Sequence, residues 1–388
     1  MLLVVAASAR ALAGLARRGP LAARYRIVAV DGFADLDTRA LADAAIRFEG
    51  GLSADAGAVA AACERAAGPP RAGDRVLIGG GLEPLWPELL PRLAQLGPLV
   101  GPTPRQAALL GDPEVLAERL ARLPVPLAPR RFRRVPASGR WLAKPALRAG
   151  GIQVRVARPG EALPPGWFAE PQLAGRTVSV CALSAGGEVR MLGAARHLGS
   201  GDAGAFASQA LAVHADPAAC GLDAGRARET ASELAARLDY TGIFGLDIVC
   251  APEHGPMLVD VNLRPPASLE WMPGAPTALA SLLIPGTGPA ASAQGPAWRG
   301  GAIVTAKQAF RLDAAAARTL AEWGRDSENA PGWVHDLPAA GQYFAAGAPV
   351  CTVSALAEDE ATLGEALAAR SRQVEALVSG RSRDADSA

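Results

Sequence analysis

Two neighbouring segments in the second half of the chain have the hydrophobic pattern of paired strands. In residues 244–249 and 257–263, β-branched and other apolar residues alternate with a few polar ones, which is typical of half-buried strands. The connecting residues 251–256 are rich in the proline and glycine of tight turns. The pattern therefore predicts a β-hairpin folded about Glu253 and His254.

The first third of the chain alternates strand-like and helix-like segments. Residues 2–7, 25–30 and 75–78 are apolar runs that predict strands, and residues 11–18 predict a helix between the first two. This β-α-β order favours a parallel sheet with right-handed crossovers. The third run ends in glycines 79–81, which let a ligand approach the backbone at the carboxyl end of a strand.

After a Gly- and Pro-rich linker at 98–104, the pattern predicts mixed elements. Asp112 followed by a proline is a helix-start signal. Residues 178–183 and 188–194 predict a second hairpin, and residues 224–238 predict an amphipathic helix. Glycine, proline, serine and alanine then dominate a further linker before a smaller unit of strands and a long helix, residues 297–378, and a polar tail at 379–388 that we expect to be disordered.

Bulk composition limits the class of protein. A chain of 388 residues predicts two or three domains, and a net charge of +1 gives no field for a nucleic acid and no polybasic patch for a membrane. The five cysteines have no CxxC spacing, and no apolar run approaches the ~20 residues that span a bilayer. We therefore expect a cytoplasmic protein with reduced cysteines and no nucleic-acid or membrane partner.

The predicted hairpin carries a candidate metal site. Folding it brings Asp247 opposite Asp260, and Asn262 projects from the same face because it lies two residues further on. Two close carboxylates repel each other unless a cation lies between them, and oxygen ligands suit a hard divalent ion that also binds phosphates. Arg264 follows at the strand end, where its planar fork can bind phosphate oxygens. A hairpin with solvated acids is the alternative, disfavoured by the apolar flanks.

Lysine is rare enough to be informative. It occurs only at Lys144 and Lys307, while arginine supplies the rest of the positive charge. Lys144 stands at the end of an apolar segment and is followed by the glycine pair Gly150 and Gly151. A cation and flexible glycines predict a loop that covers phosphates, although a plain hairpin turn has a similar sequence.

The segment 260–265, Asp-Val-Asn-Leu-Arg-Pro, resembles the Glu-x-Asn-x-Arg signature that closes the metal site of the ATP-grasp superfamily, with Asp260 in place of the usual Glu. The Lys144 segment is similar to the Lys-Pro-x-Gly-Gly hairpin that covers ATP in that superfamily. The resemblance implies an α/β and α+β fold. Its parts are a doubly wound, pre-ATP-grasp domain at 1–104, an ATP-grasp domain at 105–284 with a small lid at about 128–180, and a small C-terminal α+β appendage.

The same resemblance implies roles for individual residues. The expected cofactors are ATP and Mg²⁺, with Mn²⁺ as the alternative metal. The first lysine of the superfamily is absent, and Arg130 or Arg131 stands near its place; the ribose-binding acid is replaced by Thr177. The implied assignments are Asp247, Asp260 and Asn262 for the metal, Lys144, Gly150, Gly151, Glu170, Pro171, Gln172 and Leu173 for the nucleotide, and Arg196 and Arg264 for catalysis at phosphate.

The implied activity is that of an ATP-dependent ligase with small-molecule carboxylate and amine substrates. The carboxylate would form an acyl phosphate with the γ-phosphate of ATP, and the amine would then capture it. The whole-chain pattern is most similar to the carboxylate–amine ligases, the group that includes the tyramine–glutamate ligase of methanofuran biosynthesis, and a homodimer is expected. Activation of bicarbonate or formate and a catalytically silent nucleotide-binding regulator are the alternatives. A nicotinamide-dependent oxidoreductase is disfavoured because G-x-G-x-x-G is absent from the first turn.

Overall fold

The computed structural model describes residues 1–148, 150–151, 153–199, 210–287, 297–326 and 332–379 of the chain. The N-terminal part is a parallel sheet with the strand order β3-β2-β1-β4-β5. Its elements are β1 (Leu2–Val5), α1 (Arg10–Arg18), β2 (Ile27–Asp31), α2 (Leu36–Leu41), β3 (Ala44–Arg47), α3 (Ala56–Ala67), β4 (Arg75–Ile78), α4 (Trp86–Leu93) and β5 (Leu99–Val100).

Helices cover both faces of this sheet. Leu2 and Val4 of β1 pack in the core that contains α1, whereas Leu3 and Val5 pack in the core that contains α3 and α4. A strand buried on both faces is a continuous apolar run, as this one is. The predicted doubly wound sheet is confirmed. Its strand order reverses between β1 and β4, and crevices for ligands form at the carboxyl ends of strands at such a point.

Two short helices connect this sheet to the rest of the chain, namely α5 (Pro104–Gly111) and α6 (Pro113–Arg119). The side chain of Asp112 accepts hydrogen bonds from two backbone N–H groups at the start of α6, so the predicted helix start is confirmed. Residues 98–104 are not only linker, because Thr103 caps α5 and forms a capping box with Gln106.

A small antiparallel sheet with the strand order β6-β9-β7-β8 follows, and we call it the lid. Its strands are β6 (Arg131–Phe132), β7 (Trp141–Pro145), β8 (Arg155–Val156) and β9 (Trp167–Pro171). It has a small core of its own, formed by Val135, Ala143, Ala157, Leu163 and Ala169. The predicted lid ran to about residue 180, but the strand that begins at Arg176 belongs to the next sheet.

A large antiparallel sheet has the strand order β14-β13-β10-β11-β12-β15-β19-β17. The remaining elements are β10 (Arg176–Ala185), β11 (Glu188–Leu198), β12 (Ala210–His214), α7 (Ala224–Arg237), β13 (Gly242–Ala251), β14 (Gly255–Asn262), α8 (Ala275–Ser281), β15 (Trp298–Thr305), β16 (Phe310–Arg311), α9 (Ala314–Trp323), β17 (Val334–His335), β18 (Tyr343–Phe344), β19 (Pro349–Ala357) and α10 (Glu360–Ser379). Strands β16 and β18 pair separately.

Three of the C-terminal strands, β15, β17 and β19, belong to the large sheet. Strand β15 pairs with β12, so the predicted C-terminal α+β unit extends the large sheet. The predicted hairpins are β10–β11 and β13–β14, and the predicted amphipathic helix is α7, which packs under β10 and β11. The expected disordered tail, apart from Ser379 at the end of α10, lies outside the described residues. Within the described ranges, no helix is both long and apolar enough to cross a membrane.

Candidate functional site

The β13–β14 hairpin brings the predicted metal-binding side chains together. Asp247 pairs with Asp260 and Gly245 pairs with Asn262 across the two strands, and the ladder shifts by a bulge directly after Asp247. The amide nitrogen of Asn262 donates a hydrogen bond of 3.2 Å to one carboxylate oxygen of Asp247. The predicted register is therefore confirmed, and three oxygen-bearing side chains lie on one face of the sheet.

The neighbouring strands add two residues that the sequence analysis did not select. Ser179 of β10 pairs with Asp247 and donates its hydroxyl hydrogen bond to the other carboxylate oxygen. The same hydroxyl lies 2.7 Å from Nε2 of His197 on β11. Burial lowers the pKa of His197 even though Asp247 acts to raise it. The imidazole is therefore neutral near pH 7 and orients Ser179 against the carboxylate.

The lid contributes a cation to the same face. A guanidinium nitrogen of Arg148 lies 2.7 Å from Asp260, which is one-quarter exposed, and the carboxylate also accepts the N–H of Val261. Gly150 and Gly151 follow with φ angles of +57° and +75°, which favour glycine. Nothing stands within 4 Å of where a Cβ of Gly150 would be, so its backbone is open to a ligand.

A second pair of charges lies inside the lid. Lys144 on β7 and Glu170 on β9 form a buried ion pair. Burial lowers the pKa of Lys144, although Glu170 opposes the shift. Glu170 is 1% exposed, and its second carboxylate oxygen has no hydrogen-bond partner among the described residues. A buried oxygen without a partner costs about 1–3 kcal/mol, so a ligand that donates to it stabilises the site.

Arg130 is buried and Arg131 is exposed, and this difference distinguishes the two candidates for the place of the missing first lysine. The guanidinium of Arg130 is buried over the ring of Phe168, 4.2 Å from its centroid, and its Nε has no partner within the described ranges. Burial lowers the pKa of Arg130. Arg131 is exposed and lies over Trp141. The geometry favours Arg130 as the cation that faces the site.

The segment Glu170 to Leu173 leads out of the lid towards the large sheet. The N–H of Gln172 bonds the carbonyl of Arg140 at 2.8 Å, which fixes the exit of β9. Leu173 then packs against a small apolar cluster that joins the lid and the sheet, formed by Ala128, Val249, Ala251, Val259 and Met257. An apolar surface beside exposed backbone suits a flat heteroaromatic ring.

Arg264 joins the hairpin to the N-terminal sheet. Its Nε lies 2.8 Å from Glu83, whose other oxygen accepts the N–H of Gly81 at 2.6 Å. Burial acts to lower the pKa of Arg264, but Glu83 outweighs it and raises the pKa above its ordinary value. A Cβ on Gly80 would lie 2.8 Å from this guanidinium, so the strand end after β4 needs glycine there. The sequence analysis assigned no role to Glu83, because a loop acid before a helix is common.

Several of these residues line one open cavity. It lies between the lid, the hairpin and helices α4 to α6, and its lining includes Glu83, Trp86, Arg130, Arg148, Phe168, Asp260 and Asn262. The lining includes the acids Glu83 and Asp260 and the arginines Arg130 and Arg148, so the cavity suits a ligand that carries both a cation and anionic groups.

Arg196 does not reach this face. It pairs with Val178 on β11 and β10, one residue out of phase with Ser179, so it projects from the opposite side of the sheet. There it forms an ion pair with Glu360 and donates to the carbonyl of Cys220. This placement does not support the predicted contact of Arg196 with a phosphate at the hairpin, and β11 presents His197 to that face instead.

The donor set of the hairpin fits a hard divalent ion only in part. In the described part of the chain, no three His, Cys, Asp or Glu side chains are arranged to hold a metal by themselves. Asp247, Asp260 and Asn262 supply two carboxylates and an amide oxygen, and Mg²⁺ in proteins takes its remaining ligands from water and substrate phosphates. The residues therefore fit a metal that binds together with a phosphate ligand.

Both the sequence and the fold of this chain resemble those of known proteins. Residues 114–268 match the family model of the ATP-grasp domain. No curated protein matches the sequence. Similar structures include the biotin carboxylase domain of 2-oxoglutarate carboxylase from Hydrogenobacter thermophilus, N5-carboxyaminoimidazole ribonucleotide synthetase from Thermotoga maritima and L-amino acid ligase from Bacillus licheniformis.

The likeness to these structures extends over nearly the whole chain. The TM-scores are 0.68, 0.61 and 0.64 in that order, each at 12% identity. The matches cover 96%, 97% and 96% of this chain and 89%, 98% and 96% of those chains. At such identity the likeness shows the fold.

Proposed function

The chain contains an ATP-grasp domain, and from this premise we propose that the protein is an ATP-dependent ligase that joins a small-molecule carboxylate to an amine. The observation that carries the proposal is the distribution of charge beside the hairpin. Asp247 and Asp260 lie on the hairpin, Arg130 and Arg148 line the cavity with Asp260, and Lys144 forms its ion pair with Glu170 inside the lid. A nucleoside triphosphate with a divalent cation complements this arrangement, because the cation would bind the acids and the phosphates would bind the arginines.

Each residue then has a defined task. Asp247, Asp260 and Asn262 would hold Mg²⁺ or Mn²⁺, which when bound neutralises phosphate charge and polarises the transferred phosphoryl group. Ser179 and Asn262 fix the carboxylate of Asp247 by hydrogen bonds. Arg148 lies where it can exchange Asp260 for a phosphate oxygen.

The adenine end would lie at the exit of the lid. The unpartnered oxygen of Glu170 and the backbone of Gln172 and Leu173 are polar groups beside the apolar cluster that Leu173 joins. Pro171 leaves that backbone rigid. Gly150 and Gly151 would cover the phosphates, and Lys144, held by Glu170, would supply a further positive charge.

The proposed reaction has two steps. A carboxylate oxygen of the first substrate attacks the γ-phosphorus of ATP, the bond from that phosphorus to the bridging oxygen breaks, and ADP leaves. The nitrogen of the amine then attacks the acyl carbon, the carbon–oxygen bond to phosphate breaks, and phosphate leaves while the amine loses a proton to solvent. Positioning and charge neutralisation are the protein's contribution.

The direct test is release of ADP in the presence of Mg²⁺ with a panel of carboxylates and with hydroxylamine as the amine. Hydroxylamine is small and converts an acyl phosphate into a hydroxamate, which is detected as its coloured complex with iron(III). The proposal expects hydroxamate with at least one carboxylate and its loss in Asp260→Asn. Binding of ATP with neither ADP nor hydroxamate across the panel would contradict it and support a nucleotide-binding regulator.

The identity of the carboxylate is open to two classes. One structural relative is an L-amino acid ligase, and another was solved with MgADP and bicarbonate. Amino acids, bicarbonate and formate therefore belong in the same panel. We also propose a cytoplasmic setting, since all five cysteines are unpaired.

A further inference from the structure

A second cavity lies on the other side of the β1 strand end. It is open to solvent and is bounded by Ser8, Phe33 and Asp35 after β1 and β2, and by Ile303, Asp336 and Val350 from the C-terminal strands. We call it the Asp35 pocket. Apart from Asp35 and Asp336 its walls are mostly apolar. None of the residues assigned to nucleotide or metal belongs to it.

All but one of the acidic side chains around this pocket accept hydrogen bonds. The carboxylate of Asp31 accepts three backbone N–H groups at the ends of the loops after β1 and β2. Asp37 accepts the N–H groups of Asp336 and Leu337, and Asp336 accepts the hydroxyl of Thr352. These bonds tie the N-terminal sheet to the C-terminal strands.

The cation beside the pocket, Arg10, also has ion-pair partners. Arg10 is buried and forms ion pairs with Glu270 and with Asp336, which lies 2.8 Å from its Nε. His335 contributes no charge, because burial lowers its pKa to about 4. The cluster therefore holds more carboxylates than cations.

Asp35 is the acid without a partner. The residue is 9% exposed, it lines the pocket, and its carboxylate makes no hydrogen bond to any described residue, not even as a cap of helix α2. Burial, with repulsion from Asp336, Asp37 and Asp31, raises the pKa of Asp35 to about 8. Without a cation beside it the carboxyl group therefore retains its proton near pH 7, and a cation that binds there strongly favours the ionised form.

The chemistry of the pocket selects the kind of cation. A hard metal ion needs about six oxygen ligands, and the walls are mostly apolar. An ammonium group needs one carboxylate and leaves the apolar walls to contact a hydrocarbon body. The pocket therefore suits an organic amine.

The ends of strands β1 and β4 link the Asp35 pocket to the proposed nucleotide site. The N–H of Ala7, at the pocket, bonds the carbonyl of Gly80 at 2.9 Å, and a side chain at Gly80 would collide with Arg264 at the edge of the hairpin. The two cavities thus flank the β1 and β4 strand ends, where the strand order of the sheet reverses.

We propose that the Asp35 pocket binds the amine substrate as a primary ammonium ion with an apolar body, held by Asp35. The proposal rests on the proposed ligase function for the fate of that amine, but binding itself needs no ATP. It makes Asp35 a residue that determines which amines the protein accepts.

The test is calorimetric titration of the full chain, without ATP, with hexylamine and phenethylamine and with the carboxylates heptanoate and hydrocinnamate, which have matched bodies. Wild-type protein is expected to bind an amine and neither acid, and Asp35→Asn is expected to weaken amine binding by about tenfold or more. The control Glu64→Gln removes an exposed acid of helix α3 and should bind the amine as the wild type does.

A second variant covers the chance that Asp35→Asn fails to fold. Ile303 is 44% exposed on the pocket wall, so Ile303→Arg is tolerated structurally and places a competing cation there. It should abolish amine binding. Absence of amine binding by the wild type, or amine binding by Asp35→Asn and Ile303→Arg that is as tight as that of the wild type, overturns the proposal. Hydroxamate formation by the wild-type protein is scored separately, so this outcome is distinguishable from failure of the ligase function.

Discussion

The guanidinium of Arg148 lies 2.7 Å from the carboxylate of Asp260, and this ion pair joins the lid to the hairpin of the large sheet. Asp260 is also the predicted metal ligand. We infer that one carboxylate would serve two cations, the arginine in the nucleotide-free protein and the metal with Mg-ATP. On this proposal, Arg148 would transfer from the carboxylate to a phosphate when the nucleotide binds.

This competition predicts opposite effects from one substitution. In Arg148→Ala, Mn²⁺ alone should bind the nucleotide-free protein about tenfold more tightly, because a cation no longer occupies Asp260. ATP should bind more weakly, because a phosphate contact is lost. Electron paramagnetic resonance measures free Mn²⁺, and calorimetry measures ATP. The exposed lid residue Arg155 supplies the control Arg155→Ala, and a parallel weakening of both ligands would contradict the exchange.

Adjacent arginines provide a matched pair for the nucleotide site. Arg130→Ala should weaken ATP binding by roughly ten- to a hundredfold, since its buried guanidinium faces the cavity. Arg131→Ala should leave the affinity nearly unchanged because that side chain lies outside over Trp141. Fluorescent ATP-analogue titrations compare them. If Arg131 proves to be the sensitive position, the assignment of Arg130 is wrong.

The Arg264–Glu83 pair should be a strong structural link. Both side chains are largely buried, so Arg264→Met or Glu83→Gln alone leaves its partner uncompensated and should lower the free energy of unfolding by about 3–5 kcal/mol. The double variant should lose less than the sum of the two. Urea denaturation of the four proteins gives the coupling energy. Additive losses would mean that the two charges do not interact.

Asp35 should make stability depend on pH. Its pKa is about 8 in the folded protein and 3.8 as the reference for the unfolded chain, so the folded state retains a proton that the unfolded chain has released between these values. Stability should therefore fall as pH rises from about 4 to about 8, with Asp31, Asp37, Asp336 and Arg10 as the charged neighbours. Melting curves of Asp35→Asn should show a smaller fall. Identical pH profiles for both proteins would refute the shift.

Much of the fold follows from local patterns in the sequence. The apolar runs of the N-terminal strands and the alternation in β13 and β14 reflect burial on two faces or one, and both patterns predicted the right elements. The pairing of Asp247 with Asp260 was predicted as well, although it depends on the bulge next to Asp247, which the turn alone does not specify.

Contacts between distant segments were not predictable in this way. Glu83 meets Arg264, and Asp37 meets residues of the C-terminal strands, only because separate sheets pack together. Arg196 was misplaced because its face depends on the bulge and register of β11, which its local sequence does not specify. The joining of β15 to β12 is likewise a long-range pairing, so the C-terminal strands looked like a separate unit.

We propose that the hairpin face binds a divalent metal together with ATP. Calorimetric titration of ATP with and without Mg²⁺ into the wild type and Asp260→Asn measures this coupling, with Glu188→Gln at an exposed hairpin tip as the control. Mg²⁺ should strengthen ATP binding to the wild type and to the control, and Asp260→Asn should lose this dependence. Binding of ATP that is indifferent to Mg²⁺, or equally dependent on it in all three proteins, would contradict the proposed metal site.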